Sequence, residues 1–207
     1  MTNSAAPRPL LVLAGGFSRR MGSDKASLLW EGTPLLLRVI QRLRPIAGEI
    51  WVAARPGQEL PPGSYRRVDD ARPGEGPLAG LAAGLAAFAD GGARVAVAAC
   101  DYPYADPTLF AGLDAAAPDA PVVLPVFDGR AHPLLALWRA DVAASCERAL
   151  ARGARRVVDV LDEVGAAEVP ATDLEGLDPR AFLNVNDRES FEEAQRLGSA
   201  AGSAKPR

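Results

Sequence analysis

Cysteine and histidine are scarce in this sequence. Its 207 residues include two cysteines, Cys100 and Cys146, and a single histidine, His132. Two cysteines are too few for a disulfide framework or a cysteine-ligated zinc site, and one histidine leaves no His/Cys metal cluster. We therefore expect reduced thiols and a cytoplasmic protein.

Long hydrophobic runs and an excess of one charge are also missing. The longest uncharged apolar stretch, residues 77–89, is rich in glycine and alanine and too short to cross a bilayer. The N-terminal apolar run is short and leads directly into glycines, unlike a signal peptide. Lysine plus arginine number 23 against 26 acidic residues, a net charge of −3. The sequence predicts a soluble protein that binds neither nucleic acid nor a membrane.

The remaining composition is that of a globular domain, with 48% hydrophobic and 24% charged residues. The 20 glycines and 18 prolines are scattered, which indicates many tight loops. We predict one domain over residues 9–197, with disordered tails at residues 1–8 and 198–207.

Apolar runs alternate with helical patterns through the first half of the chain. Pro9–Ala14 is a continuous apolar run before Gly15-Gly16 and is typical of a buried strand. Further strands are predicted at Glu49–Ala54, Tyr65–Asp69 and Val95–Cys100. The alternation predicts an α/β fold: a Rossmann-like three-layer sandwich with a mostly parallel central sheet and helices on both faces.

Several boundaries follow from local signals. Thr33-Pro34 and Asp106-Pro107 each have the pattern of a helix cap followed by proline. Asp128-Gly129 predicts a hairpin between strands at Pro121–Phe127 and Pro133–Arg139. Asn186 and Glu189 have capping-box spacing before a helix that we predict to end near Leu197.

Charged residues follow the predicted strands where their carboxyl ends should meet. Ligands of parallel α/β sheets bind at that edge. The segments concerned are Gly15–Lys25, Asp69-Asp70 and Asp101–Tyr104.

The first of these loops has the composition of a phosphate site. LAGGFSRRMGSDK combines glycines with Arg19, Arg20 and Lys25, and glycines let backbone N–H groups approach phosphate oxygens. Five residues separate Gly16 from Gly22 and no Lys-Ser/Thr follows, so the loop is not a Walker A motif. Its glycine spacing also differs from the dinucleotide-binding fingerprint.

Carboxylates at the other two strand ends are candidate ligands for a cation. Asp101 directly follows the apolar run VAVAAC and is well placed to hold Mg²⁺ together with a phosphate oxygen. Asp69 and Asp70 are alternatives for a contact with ribose, base or metal-bound water. A turn or cap aspartate is the competing interpretation at both places.

Together these residues resemble the nucleotidyltransferases of glycosyltransferase-A-like fold, and within them the molybdenum cofactor guanylyltransferases. The signature loop Leu13–Lys25 carries the broader resemblance. Four further segments agree in order and spacing: Gly76-Pro77-Leu78-Ala79-Gly80, Cys100-Asp101-Tyr102-Pro103, His132-Pro133 and Asn184-Val185-Asn186. The resemblance covers roughly residues 9–197.

The resemblance implies transfer of GMP from GTP to the terminal phosphate of molybdopterin, with release of pyrophosphate. It implies Mg²⁺, with Mn²⁺ as an alternative, and transient contact with molybdenum-insertion proteins or client molybdoenzymes. It also assigns roles to matching residues: catalysis to Arg20, Lys25 and Asp101, metal binding to Asp101, nucleotide binding to Leu13, Ala14, Gly15, Gly16, Lys25, Asp70, Gly80 and Asp101, and the pterin side to His132, Asn184 and Asn186.

One departure and three alternatives remain open. Some family members carry a nucleotide-contacting asparagine after the second strand, where this chain has Ala53-Ala54-Arg55. Transfer of CMP from CTP to the same acceptor is the nearest alternative, and Ala14-Gly15-Gly16 favours GTP over it. The others are another nucleotidyltransferase activity and a non-catalytic carrier of nucleotide or cofactor.

Overall fold

The computed structural model describes residues 7–15, 24–88 and 92–202, and strands alternate with helices along most of them. The strands are β1 (Arg8–Leu13), β2 (Leu29–Trp30), β3 (Thr33–Pro34), β4 (Ala47–Ala54), β5 (Arg66–Asp69), β6 (Arg94–Ala99), β7 (Val122–Phe127), β8 (Arg130–Ala131), β9 (Leu135–Arg139) and β10 (Ala166–Pro170). The α-helices are α1 (Leu35–Leu43), α2 (Pro77–Ala86), α3 (Pro107–Ala116), α4 (Ala143–Ala151), α5 (Val158–Val164) and α6 (Arg188–Gly202).

An eight-stranded sheet in the order β10-β7-β9-β6-β1-β4-β5 forms the centre of the molecule, with β8 paired to β7 beside this path. The pairs β5–β4, β4–β1, β1–β6 and β7–β10 are parallel. Only β9 and β8 run against their neighbours among the described strands of this sheet. The predicted mostly parallel α/β sheet is therefore confirmed.

Both faces of the sheet are covered. Successive strand residues point to opposite faces, and in β1 Leu10, Leu11 and Val12 are all fully buried. A strand buried on both sides needs the continuous apolar run that this segment has.

The helices on the sheet differ in how they pack. In α1 the buried residues Leu35, Leu36, Val39, Ile40 and Leu43 lie on one face. Helix α2 instead approaches the sheet through glycine, because a Cβ at Gly84 would overlap the side chain of Leu11.

The chain reverses its direction of growth across the sheet at β1. Strands β4 and β5 are added on one side of β1, whereas β6 is added on the other. The carboxyl ends of β1 and β6 therefore border a topological switch point, where open α/β sheets bind their ligands.

Two predicted boundaries are wrong in register or extent. Thr33-Pro34 is not a helix start, because these residues pair with Leu29-Trp30 as a two-stranded hairpin and the helix begins at Leu35. The cap of α6 is formed by Asp187 rather than Asn186. The Asp187 carboxylate accepts from the Ser190 N–H at 2.9 Å and the Ser190 hydroxyl accepts from the Asp187 N–H at 3.1 Å.

The predicted hairpin is confirmed and includes one further short strand. Asp128 and Gly129 form its turn, both with positive φ. Strand β7 pairs antiparallel with the short strand β8 next to the turn and with β9 beyond it, and β9 also pairs with β6. Asp106 likewise caps α3 as predicted, accepting from the Thr108 N–H at 2.8 Å.

Strand β1 and helix α6 extend into the segments that were predicted as tails. Strand β1 includes Arg8, whose guanidinium is held by the Asp114 carboxylate at 3.1 Å. Helix α6 continues to Gly202. Residues 1–6 and 203–207 lie outside the described part of the chain.

Candidate active site

A cavity of about 350 Å³ lies at the carboxyl ends of β5, β4, β1 and β6. Seven residues that sequence reasoning assigned to nucleotide binding line it, together with the predicted Asn186: Leu13, Ala14, Gly15, Lys25, Asp70, Gly80 and Asp101. The parallel sheet therefore brings together segments from both sides of the switch point.

The sheet's hydrogen bonding continues one residue into this cavity. The N–H of Ala14 donates to the Ala53 carbonyl at 2.8 Å, that of Asp70 to Ala54 at 2.8 Å, and that of Cys100 to Leu13 at 3.0 Å. The residues that follow the strands are thus fixed by backbone bonds, so the cavity floor is rigid.

The Lys25 side chain connects the segment that follows β1 with Asp101, which follows β6, and with Asn186. A short 3₁₀ turn at Lys25–Ser27, capped by Asp24, carries its side chain toward the end of β6. The ammonium donates to the Asn186 amide oxygen at 3.0 Å and lies 3.5 Å from the Asp101 carboxylate. A cation at the carboxyl ends of the strands is thereby placed where phosphate oxygens can reach it.

Asp101 is held in a low-dielectric position. Burial raises the pKa of its carboxyl, while the Lys25 ammonium and the Asn184 amide act in the opposite direction. Its Oδ1 is buried without a hydrogen-bond partner, and so is the Oδ1 of Asn184. The segments meet because the Val185 N–H donates to the Asp101 carbonyl at 2.9 Å.

These oxygens fit a divalent cation. Carboxylate and amide oxygens are hard ligands, and Mg²⁺ is commonly bound through one or two carboxylates together with substrate phosphates. A buried acceptor without a donor is costly unless a ligand satisfies it. Within residues 7–15, 24–88 and 92–202, no group of three or more His, Cys, Asp or Glu side chains could hold a metal by itself. The oxygens of Asp101 and Asn184 therefore fit a metal ion that substrate phosphates would also coordinate.

Asp70, and not Asp69, faces the cavity. Asp70 is 6% exposed and its carboxylate accepts from the Arg72 N–H at 2.8 Å. Asp69 points to solvent and forms an ion pair of 2.6 Å with Arg67. Alternation along a strand explains the difference, since neighbouring side chains lie on opposite sides.

The first turn of α2, with Pro77 and Gly80, and the loop before it, with Gly74 and Gly76, form another wall of the cavity. Gly76 has φ +87°, and a Cβ there would lie 2.6 Å from the Arg155 carbonyl oxygen. Glycine is thus required both by the backbone conformation and by the close approach of the 154–156 segment.

His132 lies beside the cavity and does not line it. Its Nδ1 is 3.2 Å from the Tyr102 hydroxyl, and its ring packs 5.0 Å from the ring of Phe182. Burial, with the charge of Arg130, lowers the pKa of the imidazole. The neutral ring therefore contacts residues next to Asp101 rather than facing the nucleotide cavity.

Two predicted residues, Gly16 and Arg20, lie outside the described part of the chain. Other wall residues were not among the predicted site residues, namely Ala53, Ala54, Gly74, Ala99, Cys100 and Leu134. Apolar residues of this kind carry no chemical signal in a sequence. Burial raises the pKa of the Cys100 thiol, which removes it as a nucleophile at neutral pH.

A family model for the MobA-like NTP transferase domain matches residues 10–165. The chain belongs to the MobA-like nucleotidyltransferase family. The matched range contains β1, the Lys25 turn, Asp70 and Asp101, so this NTP transferase carries the family's domain around the cavity described above.

Named relatives agree with this assignment. A probable molybdenum cofactor guanylyltransferase of Mycobacterium avium is 43% identical over 181 residues, covering 85% of this chain and 89% of the relative. The crystal structure of molybdopterin-guanine dinucleotide biosynthesis protein A from Archaeoglobus fulgidus is similar at a TM-score of 0.78 and 24% identity, covering 93% and 99% of the two chains.

A more distant fold neighbour was solved with a metal. Rv0371C from Mycobacterium tuberculosis, in complex with manganese, superposes at a TM-score of 0.62 and 14% identity over 91% of this chain and 97% of that one.

Within the described residues of the NTP transferase, no helix is both long and apolar enough to cross a membrane.

Proposed function

We propose that this NTP transferase transfers GMP from GTP to the terminal phosphate of molybdopterin and releases pyrophosphate. The observation that carries the proposal is the meeting of Lys25, Asp101 and Asn186 at the edge of the strand-end cavity. The relative named above as a probable molybdenum cofactor guanylyltransferase supports the choice of substrates.

The nucleoside would occupy the cavity between β1, β4 and α2. Ala53 and Ala54 present small side chains there, and Gly80 adds no side chain to this wall. A flat base suits a slot lined by small residues. Asp70 offers the charged acceptor in this part of the cavity, which suits the N–H donors of guanine or the hydroxyls of ribose.

Mg²⁺ or Mn²⁺ would be held by Asp101, with the amide oxygens of Asn184 and Asn186 nearby. Such a cation neutralises developing charge on phosphate oxygens. The manganese complex of a fold neighbour is in keeping with a divalent ion in this class of fold.

The residues of the chain supply electrostatics rather than covalent chemistry. The acceptor phosphate is largely ionised near neutral pH, so it can attack the α-phosphorus without a strong general base. The bond to the α-phosphorus forms as the bond to the leaving pyrophosphate breaks, and the Lys25 ammonium lies where it can neutralise the transferring phosphates. Arg20, in the loop outside the described residues, is our second candidate for this role.

The acceptor would approach from the side of Asn184 and Asn186. Asn186 already accepts a hydrogen bond from Lys25, so it orients the ammonium between donor and acceptor phosphates. His132 supports the same side through Tyr102. The buried free thiols of Cys100 and Cys146 accord with a cytoplasmic location, which stays our prediction.

Pyrophosphate release tests the proposal directly. The protein is given purified molybdopterin and Mg²⁺ with GTP, CTP, ATP or UTP in turn. We expect release with GTP and its loss in Asp101→Ala. Release with CTP alone would overturn the base assignment and retain the chemistry, whereas tight GTP binding without release would favour the carrier alternative.

A further inference from the structure

A four-residue turn follows β4 and closes against the cavity from outside. The Gln58 N–H donates to the Arg55 carbonyl at 3.0 Å, with Pro56 and Gly57 between them. Gly57 has φ +71°, so proline and glycine occupy the second and third positions that a type II turn favours. We refer to residues 55–58 as the Arg55–Gln58 turn.

Gln58 fixes the residue that ends β1. Its side chain is only 7% exposed. The amide Nε2 donates to the Ala14 carbonyl at 2.9 Å, and its Oε1 accepts from the Arg55 N–H at 3.0 Å. Ala14 is thereby held through its carbonyl as well as through its N–H, immediately before Gly15.

Arg55 fixes the residue that precedes Lys25. Its guanidinium lies 3.0 Å from the Asp24 carboxylate. The other oxygen of Asp24 accepts from the Ala26 N–H at 3.0 Å and so caps the turn that carries Lys25. The stem of Arg55 also lies against Gly15, where an added Cβ would be 3.6 Å from the Arg55 Cγ.

Arg67 on β5 holds the Arg55–Gln58 turn in place. It donates to the Gln58 carbonyl at 2.6 Å and to the Arg55 carbonyl at 2.7 Å. The turn is therefore anchored to the neighbouring strand and presents both of its terminal side chains toward the signature loop.

The Arg55–Gln58 turn thus contacts both described ends of the signature loop. Gln58 donates to Ala14, and Arg55 forms an ion pair with Asp24. Neither Arg55 nor Gln58 lines the cavity. We propose that Arg55 and Gln58 are positioning residues for GMP transfer: Gln58 sets the β1 end for the nucleoside, and Arg55 sets Asp24 and hence Lys25 for the phosphates. The proposal rests on the function proposed above. It gives the Ala53-Ala54-Arg55 segment a supporting role where some relatives have a direct contact.

The test separates the contact of Gln58 with Ala14 from the contact of Arg55 with Asp24. Gln58→Met removes both polar contacts at similar length, and Gln58→Glu replaces the donor to Ala14 with a carboxylate oxygen that faces the Ala14 carbonyl. Arg55→Met and Asp24→Asn each break the ion pair, and Arg55→Lys can restore it. Glu59→Ala, at the exposed neighbouring residue, is the matched control. For each variant we would measure kcat and KM for GTP, the Kd of GTP by equilibrium dialysis, and the thermal midpoint.

We expect a split between binding and turnover. Both Gln58 variants should raise KM and Kd for GTP by about tenfold with little change in kcat. Arg55→Met and Asp24→Asn should each lower kcat by about tenfold, because small displacements of a reacting group are costly. The double variant Arg55→Met/Asp24→Asn should have a kcat no lower than that of either single variant. Arg55→Lys should recover much of the wild-type kcat.

The outcomes that overturn the proposal are distinct from failure of the proposed function. Variants that match Glu59→Ala, additive effects of Arg55→Met and Asp24→Asn, or activity lost only in proportion to the folded fraction would each refute positioning. A wild-type protein that releases no pyrophosphate would refute the proposed function. In that case, an unchanged Kd of GTP in both Gln58 variants would refute the turn's role as well.

Discussion

The Lys25 ammonium lies 3.5 Å from the Asp101 carboxylate, although 76 residues separate the two in the chain. Both side chains are less than one-fifth exposed, at 14% and 18%. The pair spans the switch point between β1 and β6. A cation and the carboxylate that we propose as a metal ligand are thus held together beside the strand-end cavity.

Removing this cation should impair chemistry far more than stability. We expect Lys25→Met to lower kcat for pyrophosphate release by about 100-fold, the magnitude usual for loss of one preorganised electrostatic group. The thermal midpoint should shift by only a few degrees, since the methionine keeps the apolar stem. Steady-state kinetics with GTP and thermal unfolding of the same preparations measure both.

Arg66→Met provides the control for Lys25→Met. Arg66 is an exposed cation paired with Glu49 at 2.7 Å, remote from the cavity lining. Its loss should leave kcat unchanged. Equal losses of kcat in the two variants would show that Lys25 has no special part in turnover.

The convergence of Lys25 and Asp101 was predictable from the sequence because it depends on long-range order that apolar patterns encode. Buried parallel strands have continuous apolar runs, and their carboxyl ends meet at one edge of the sheet. The predicted strands therefore indicated that Gly15, Lys25, Asp70 and Asp101 would lie at the same edge of the sheet, as they do among the described residues.

Short strands and individual side-chain contacts could not be predicted from the sequence in the same way. The hairpin at Leu29–Pro34 has two residues in each strand, too few for any periodicity, so Thr33-Pro34 gave only a misleading cap signal. The placement of β9 between β6 and β7 depends on pairing across the sheet. The buried Gln58 carries no signal either, since glutamine is usually exposed and only its contact with Ala14 reveals its position.

Asp70 should contribute to nucleotide affinity, whereas its neighbour Asp69 should not. Asp70→Asn keeps an acceptor for the Arg72 N–H but removes the charge that faces the cavity. We expect KM for GTP to rise by about tenfold, because a hydrogen bond to a charged group contributes about 1.5–3 kcal/mol. Asp69→Asn, which affects an exposed ion pair, should stay within about twofold. A larger effect of Asp69→Asn would reverse the assignment.

Gly76 should be far less tolerant of substitution than another glycine with a similar φ. Gly76 and Gly153 have φ of +87° and +92°, but an added Cβ meets the Arg155 carbonyl at 2.6 Å in the first and nothing within 4 Å in the second. Both alanine variants carry the strain of a positive φ, and at Gly76 the ψ of −177° lies in a region that is essentially restricted to glycine. Gly76→Ala should lose about 1–3 kcal/mol more in the free energy of unfolding, from overpacking. Urea denaturation measures the difference, and equal losses would contradict the close approach.

The single histidine should make the protein less stable in mild acid. Burial, reinforced by the charge of Arg130, lowers the pKa of His132 below its ordinary value of 6.5. As the pH falls through about 6.5, the unfolded chain takes up a proton before the folded one does, so the free energy of unfolding decreases. His132→Gln removes this proton uptake. The thermal midpoint of His132→Gln should therefore fall less than that of the wild type between about pH 7.5 and pH 5.5, because the carboxylates, including Asp101 with its raised pKa, are the same in both proteins. Parallel slopes for the two proteins would show that the folded state accepts the imidazolium as readily as water does.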